Sequence, residues 1–238
     1  MKKAAVVIVM LSLAHSVFAA DFSFGGGALA GYTFTRYTLH GGSVESVQIM
    51  DRFDYGGFVF FDASYVVFAI MYQAGNGTFR ENMILDDSSL ADTTGTGNEA
   101  VLGLSLLGKY PFTVNERIAW YPMFGVEYHI ALIQRRTTAG GLVYNRDGGR
   151  FMEDRDKDNN TYPLSAWNSL WIQIGAGLDY SLSGPLFLRS ELLFGFRLPT
   201  SYEMGALEVI ENLMNIQDPR LGGLTGKPAL RISAGFRF

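Results

Sequence analysis

Glu127 and His129 are the side chains whose types and spacing come nearest to catalytic chemistry. They are separated by one residue, so in a strand both point to the same side, and a carboxylate beside an imidazole is a frequent acid–base arrangement. A covalent mechanism would also need a nucleophile. The chain contains no Cys, and no Ser can be placed beside the pair from the sequence. We therefore predict no enzyme activity and no catalytic residue.

A second group of acids lies in 154–160, where Asp154, Asp156 and Asp158 occupy every second position. Carboxylates spaced in this way converge on Ca²⁺ in an EF-hand loop. That loop requires Gly where Asn159 stands and Glu where Ser165 stands. A solvated, charged loop explains the pattern without a metal, and we predict neither a metal site nor a cofactor.

Charged residues also recur at every second position along several strand-like segments, opposite an apolar side. A turn centred on Gly184 places Asp179 across from Arg189 on the same face, which predicts a salt bridge. Acidic and basic residues on this side of the segments are balanced in number. The balance indicates mutual pairing rather than a selective pore. The predicted interior ion-pair network comprises Asp179, Arg189, Glu191, Glu127, His129, Arg231, Arg237 and Lys109.

An apolar strip shares this side of the sheet with the charges. Phe58 and Phe60 belong to one segment, and Val67 and Met71 belong to the next. Two interpretations remain open. The strip is either the wall of a conduit for a hydrophobic solute or dry packing in the interior of the fold.

Strands must position these side chains. A two-residue alternation of apolar and polar residues marks eight strand-like segments. Each segment is near or above the length of about 9 to 11 residues that a tilted strand needs to cross a bilayer. Long polar connections alternate with short turns. In the last of the long connections, over 201–217, apolar residues recur at helical spacing, which predicts a short amphipathic helix. The predicted strands are 22–38, 53–62, 65–75, 100–110, 118–134, 167–182, 186–198 and 229–238. The predicted long loops are 39–52, 76–99, 135–166 and 199–228.

The apolar side of these segments carries no charged residue. Such a face is the core of a soluble barrel or the lipid-facing exterior of a membrane barrel. Aromatic residues near the ends of the segments, such as Phe22, Tyr72, Trp120 and Tyr180, favour the membrane arrangement, because a bilayer interface attracts these rings.

Composition and the N-terminus agree with this assignment. Lys2 and Lys3 precede an apolar stretch, and Val17-Phe18-Ala19 has the pattern of a cleavage site, which predicts a signal peptide over 1–19 and a single domain over 20–238. Without Cys there is no disulfide framework. The formal net charge of -4 provides no basic surface for nucleic acid, so that class of partner is excluded.

The last nine residues, 230–238, alternate strictly between apolar and polar or small, with Phe236 and Phe238 at the end. This ending resembles the closing strand of outer-membrane β-barrels, and the mature chain resembles the small eight-stranded proteins of the OmpA, OmpX and OmpW kind. The resemblance implies an all-β fold: an eight-stranded, antiparallel, up-and-down transmembrane barrel in the outer membrane of a diderm bacterium. It also implies short periplasmic turns, long extracellular loops, and an assembly signal at Phe236 and Phe238 that is read by the barrel assembly machinery.

The same resemblance implies two functions. The first is a structural or surface-interaction protein with a largely filled, ion-paired lumen; its partners are outer-membrane lipid, lipopolysaccharide or an equivalent, and a host surface or matrix ligand. The alternative is a narrow, OmpW-like conduit for small hydrophobic solutes along Phe58, Phe60, Val67 and Met71.

Overall fold

The computed structural model describes residues 22–41, 44–85, 88–138, 141–147, 164–200 and 220–238, and nearly all of them belong to strands. A short 3-10 helix, Leu164–Trp167, precedes β8, and none of the described helices is long and apolar enough to span a membrane. The strands are β1 Phe22–Gly41, β2 Val44–Ala63, β3 Val66–Leu85, β4 Ser88–Lys109, β5 Phe112–Thr113, β6 Ile118–Thr138, β7 Gly141–Asp147, β8 Ser169–Ser181, β9 Leu186–Arg197 and β10 Arg220–Arg237.

Eight of these strands form a closed ring. Their order is β4-β3-β2-β1-β10-β9-β8-β6, and β6 pairs back onto β4. All pairings around the ring are antiparallel, while β5 and β7 are short strands paired with β6. The eight-stranded antiparallel barrel predicted from the sequence is confirmed.

The register of the ring is staggered by ten residues. A path along paired residues that leaves β1 at Phe24 returns to β1 at Phe34, ten positions further on. For eight strands, this stagger tilts the strands by roughly 35–45° and leaves an interior just wide enough for side chains. The full path is Phe24, Phe61, Phe68, Leu106, Val126, Ile172, Phe196, Gly226 and Phe34.

The outer face carries two rings of aromatic side chains. Allowing for the stagger, the ring near the C-terminus contains Phe24, Tyr65, Tyr110, Trp120, Tyr180 and Phe236, and the ring at the opposite, distal end contains Tyr32, Tyr55, Tyr72, Tyr128 and Phe196. Phe24 and Tyr32 are eight residues apart on β1, so the rings are separated by about 20 Å along the barrel axis. We call the outward-facing side chains between the rings the apolar belt; none of them is charged.

Two predicted loops are wrong. Most of 39–52 and 76–99 is strand: β1 and β2 continue to Gly41 and from Val44, and β3 and β4 continue to Leu85 and from Ser88. Beyond the belt the outward side chains are mainly Thr, Asn and Arg, so the apolar–polar alternation disappears although the backbone pairing continues.

The other two predicted loops are also shorter than expected. Within 135–166, β6 continues to Thr138 and β7 adds a hairpin; within 199–228, β10 already begins at Arg220. The helix predicted over 201–217 and the signal peptide predicted over 1–19 lie outside the described residues.

A β-bulge in β6 reverses which side chains face the interior. Val101 pairs with Ala131 and Ala100 pairs with Ile133, so Leu132 is an additional residue. As a result, beyond the bulge, the even-numbered residues Gln134 and Arg136 point inward, whereas continued alternation would have pointed them outward.

Candidate functional site in the barrel interior

The central cluster surrounds Glu127, whose side chain is completely buried. One carboxylate oxygen accepts hydrogen bonds from Nζ of Lys227 at 2.8 Å and lies 2.5 Å from Nε2 of His129. The other accepts from Nη2 of Arg231 at 2.5 Å. Glu191 faces Arg231 in the register, with 3.9 Å between their charged groups, and brings a second acid to this arginine. A buried carboxylate is stable here because it is paired and hydrogen-bonded.

A second cluster, nearer the C-terminus, is organised by Arg189. Its guanidinium binds Asp179 through two hydrogen bonds of 2.7 and 2.8 Å, and it binds Asp62 at 2.6 Å. Lys109 lies 2.5 Å from the same oxygen of Asp62, and the hydroxyl of Tyr121 donates to Asp179 at 3.0 Å. The cluster therefore crosses the lumen and joins β2, β4, β6, β8 and β9.

A third cluster lies towards the distal end. Arg52 bridges Asp54, at 2.6 Å, and Glu99, and Thr33 also donates to Asp54. Because Arg52 and Asp54 lie on β2 and Glu99 lies on β4, this ion pair spans the intervening strand β3.

Aromatic rings cover the guanidinium of Arg136 above this cluster. It lies 5.5 Å from the ring centroid of Phe79 and 4.8 Å from that of Trp167. These cation–π contacts connect β6 to β3 and to the 3-10 helix.

An apolar layer accompanies the charged clusters. Phe60 lies under the guanidinium of Arg189 at 4.8 Å, and Phe58 lies under that of Arg231 at 5.6 Å. The layer packs as one buried cluster, which leaves little of its surface to solvent. Its members are Leu29, Phe58, Phe60, Val67, Ala69, Met71, Leu107, Tyr121, Met123, Phe187 and Leu193.

The eight residues of the predicted network are not equally close to one another. Six of them are buried, Lys109 is half-buried, and Arg237 is exposed at the C-terminal end, 3.4 Å from Asp179. Asp179 with Arg189, and Glu127 with His129 and Arg231, are in direct contact. Nδ1 of His129 has no hydrogen-bond partner among the described residues, so no hydroxyl joins the pair there, and the absence of enzyme activity stays a prediction.

Sequence reasoning missed four interior charges, Lys227, Arg52, Glu99 and Arg136. All four fall in segments that are predicted to be loops. A signal was present for one of them: Thr225 and Lys227 extend the two-residue period of the terminal strand upstream, past Pro228, to the same buried face. Pro228 interrupted the pattern, although its side chain points away from the interior.

The chain terminus contacts the start of the first strand. The ring of Phe24 stacks on Phe236 at 5.8 Å and on Phe238 at 5.6 Å, and the amide of Phe238 donates to the carbonyl of Phe22 at 2.8 Å. These contacts lie where β10 joins β1. The role of Phe236 and Phe238 as an assembly signal stays a prediction.

Comparison with protein families gives no matching family model, and comparison with curated proteins gives no match. Solved structures do match. Neisserial surface protein A is 10% identical and covers 90% of this chain and 99% of its own, with a TM-score of 0.36. The attachment invasion locus protein of Yersinia pestis, in complex with the heparin analogue sucrose octasulfate, has the same identity and coverage, with a TM-score of 0.31. The outer membrane protein OprG from Pseudomonas aeruginosa is 12% identical, covers 92% and 96%, and has a TM-score of 0.40.

Sequence identities and TM-scores this low assign no activity to the chain. The fold of the chain itself, a closed ring of eight antiparallel strands with an uncharged belt outside and charges inside, is that of a small outer-membrane β-barrel.

Glu127→Gln tests how much the central cluster stabilises the barrel. The variant leaves Lys227 and Arg231 buried beside a neutral side chain, so we expect the free energy of unfolding in urea to fall by about 3–5 kcal/mol. Asp51→Asn is the control, because it breaks the exposed pair with Arg36, at 2.9 Å, and should cost about 0–1 kcal/mol. Equal effects of the two variants would contradict the assigned role of Glu127.

Proposed function

We propose that this chain is an integral outer-membrane protein whose closed, ion-paired barrel acts as a structural element of the envelope and presents a surface for interaction outside the cell. The apolar belt carries the proposal. It is uncharged between the two aromatic rings, and the opposite face of the same strands holds the buried ion pairs.

Exposure of the belt supports insertion into lipid. Leu192, Phe124 and Val59 are 60% or more exposed, and similar side chains surround the barrel. In water this surface would far exceed the apolar patches that soluble monomers expose, whereas in acyl chains it is stable. The ring spacing of about 20 Å is close to the apolar band of roughly 25 Å that such barrels present to lipid.

Packing of the interior favours a structural role over conduction. The three charged clusters and the apolar layer fill the lumen with side chains that contact one another, including Phe58, Phe60, Val67 and Met71. This supports the dry-packing interpretation of the apolar strip over the conduit.

Extension of the strands supports a surface role. β1 continues nine residues beyond Tyr32 to Gly41, which corresponds to about 20 Å of sheet above the distal ring. With the C-terminus in the periplasm, this part of the sheet stands outside the cell, where a host or matrix ligand can reach it. Export by a signal peptide over 1–19 and assembly through Phe236 and Phe238 complete the proposal.

Ile70→Arg tests the membrane assignment. Ile70 lies near the middle of the belt, so we expect arginine there to lower the free energy of unfolding from lipid vesicles by about 2–4 kcal/mol. Thr113→Arg, outside the belt on β5, should have little effect. A protein that stays soluble and folded without detergent, and that tolerates both substitutions equally, would contradict membrane insertion.

Planar-bilayer recording and liposome uptake test the filled interior. We expect the reconstituted protein to show no sustained channel openings and to admit no small hydrophobic solute, because the clusters of Glu127 and Arg189 cross the lumen. Steady conductance or uptake by the native chain, absent from protein-free vesicles, would favour the conduit.

A further inference from the structure

A small cavity lies inside the barrel at its distal end, between β2, β3, β4 and β6. We call it the distal cavity. Its volume is about 240 Å³, including the part that is open to solvent. Pockets that enclose a whole drug-sized ligand measure roughly 300–1,000 Å³, so this cavity admits only one end of a larger molecule. The lining residues that concern the ligand are Arg52, Gly77, Gly97, Glu99, Gln134 and Arg136.

The register places the lining residues in two neighbouring rows across the sheet. In one row, Glu99 of β4 pairs directly with Gln134 of β6. The other row consists, in pairing order, of Arg52, Gly77, Gly97 and Arg136. Its two glycines leave the wall between the arginines without side chains. A Cβ at Gly97 would meet only one heavy atom of the described residues within 4 Å, the carbonyl oxygen of Arg135 at 3.7 Å. The cavity is the space in front of these glycines.

The β-bulge in β6 brings Gln134 to the cavity. With Leu132 as the additional residue, Gln134 points inward and is only 4% exposed. Its amide oxygen, Oε1, is buried and has no hydrogen-bond partner among the described residues. An unpaired buried oxygen destabilises a protein, and bulges re-aim side chains next to functional sites. Gln134 is therefore placed to receive a hydrogen bond from a molecule that enters the cavity.

The ion pair of Arg52 and Glu99 supplies the remaining polar groups. Arg52 binds Asp54 through Nε, at 2.6 Å, and binds Oε2 of Glu99 through Nη1. Nη2 of Arg52 and the second carboxylate oxygen of Glu99 take no part in these contacts. The Glu99 side chain is 17% exposed, so solvent reaches it. The cavity thus offers a carboxylate oxygen, an amide and a guanidinium N–H group within one small space.

These groups favour a neutral ligand that both donates and accepts hydrogen bonds. Glu99 and Oε1 of Gln134 accept, whereas Nη2 of Arg52 donates. The formal charges of Arg52 and Arg136 are balanced by those of Asp54 and Glu99, so a charged ligand would add an uncompensated charge. Hydroxyl groups on adjacent carbon atoms are neutral, lie close together, and each both donates and accepts. The edge of a sugar ring presents such a pair.

The distal cavity lies beyond the hydrocarbon layer. Gln134 is six residues further along β6 than Tyr128 of the distal aromatic ring, and one of the six is the bulge residue. The difference corresponds to about 12 Å along the barrel axis. The polar headgroups add only roughly 5–7 Å on each side of the hydrocarbon. A saccharide outside the cell can therefore reach the cavity through the distal end of the barrel.

We propose that the distal cavity binds the terminal sugar unit of an uncharged saccharide chain outside the cell. Two adjacent hydroxyls of that unit donate to Glu99 and Gln134 and accept from Arg52, while the rest of the saccharide extends out of the barrel. The rings that stack on Arg136 fix this side chain as the opposite wall. The proposal rests on the proposed function, because the distal end must face outward, and it names the class of ligand for that function.

Saturation-transfer NMR with the full chain, in a detergent without a sugar headgroup, tests the proposal. The probes are the methyl glycosides of glucose, galactose and mannose. We expect at least one of them to bind the native chain at millimolar concentration. Gln134→Leu removes the amide, and Gly97→Val fills the cavity. Each variant should raise the Kd of that glycoside roughly tenfold or more, because the lost hydrogen bond or the lost space is specific to the site.

Two matched controls make the same substitutions away from the cavity. Gln173→Leu changes another buried glutamine whose Oε1 has no partner among the described residues; it lies on β8, deeper in the lumen. Gly108→Val changes an exposed glycine on the outer face of β4. Both should leave the Kd within about twofold of the native value. Gln134→Leu should also unfold at the same or a higher urea concentration than the native chain, because it removes an unpaired polar group.

The outcomes separate this proposal from the proposed function. If none of the three glycosides binds, or if Gln134→Leu and Gly97→Val leave the Kd unchanged, the distal cavity holds water only and the proposal is overturned. Insertion into vesicles, measured by protection from protease, is unaffected by that result, and normal insertion leaves the proposed function standing. A native chain that fails to insert would overturn the proposed function, and with it the placement of the cavity outside the cell.

Discussion

Closure of the hydrogen-bond ladder is the constraint from which the remaining structure follows. Each strand of the ring has a neighbour on both sides, so the backbone groups between the aromatic rings are satisfied within the protein. An open sheet would present an edge of unpaired N–H and C=O groups, which hydrocarbon cannot satisfy. The last junction, between β10 and β1, is also where Phe236 and Phe238 stack on Phe24.

The ten-residue stagger fixes the width of the tube, and the width determines what the interior must contain. Side chains from opposite walls meet, so a long residue on one strand requires a small one nearby. Gly177 illustrates this: any Cβ at that position would overlap the ring of Tyr121, which itself holds Asp179. A charged side chain in so narrow a space must find its partner across the lumen, as Arg189 does with Asp62 and Asp179. Ionic contacts therefore tie together strands that are distant in sequence.

Alternation in the sequence was sufficient to predict the middle of the fold. Between the aromatic rings, apolar residues that face outward alternate with polar or small residues that face the lumen. This alternation predicts the ring of eight strands and the position of Asp179 opposite Arg189. Alternation fails beyond the belt, where both faces are polar, and β1 to β4 are longer than predicted; β10 also begins earlier than predicted. The contacts of Lys227 with Glu127 and of Arg52 with Glu99 involve residues in these additional parts of the strands.

Two further features could not be read from a single sequence. The bulge at Leu132 turns Arg136 inward, yet no Gly or Pro marks it, and it is defined only by the pairing of β6 with β4. The choice of partner for Glu127 depends on the stagger, which brings Lys227 and Arg231 of β10 across the tube. Such contacts depend on how the strands close, which no local pattern encodes.

The central claim is that the uncharged face of this sheet contacts acyl chains while the charged face lines the tube. Because the chain has no Cys, single cysteines can be introduced and labelled with a fluorophore in protein reconstituted with lipids brominated on their acyl chains. Ile70→Cys and Val126→Cys should take up the label and be strongly quenched, whereas Ser105→Cys, which is buried in the filled lumen, should not be labelled in the folded protein. Labelling of Ser105→Cys together with no quenching at Ile70→Cys would contradict the account.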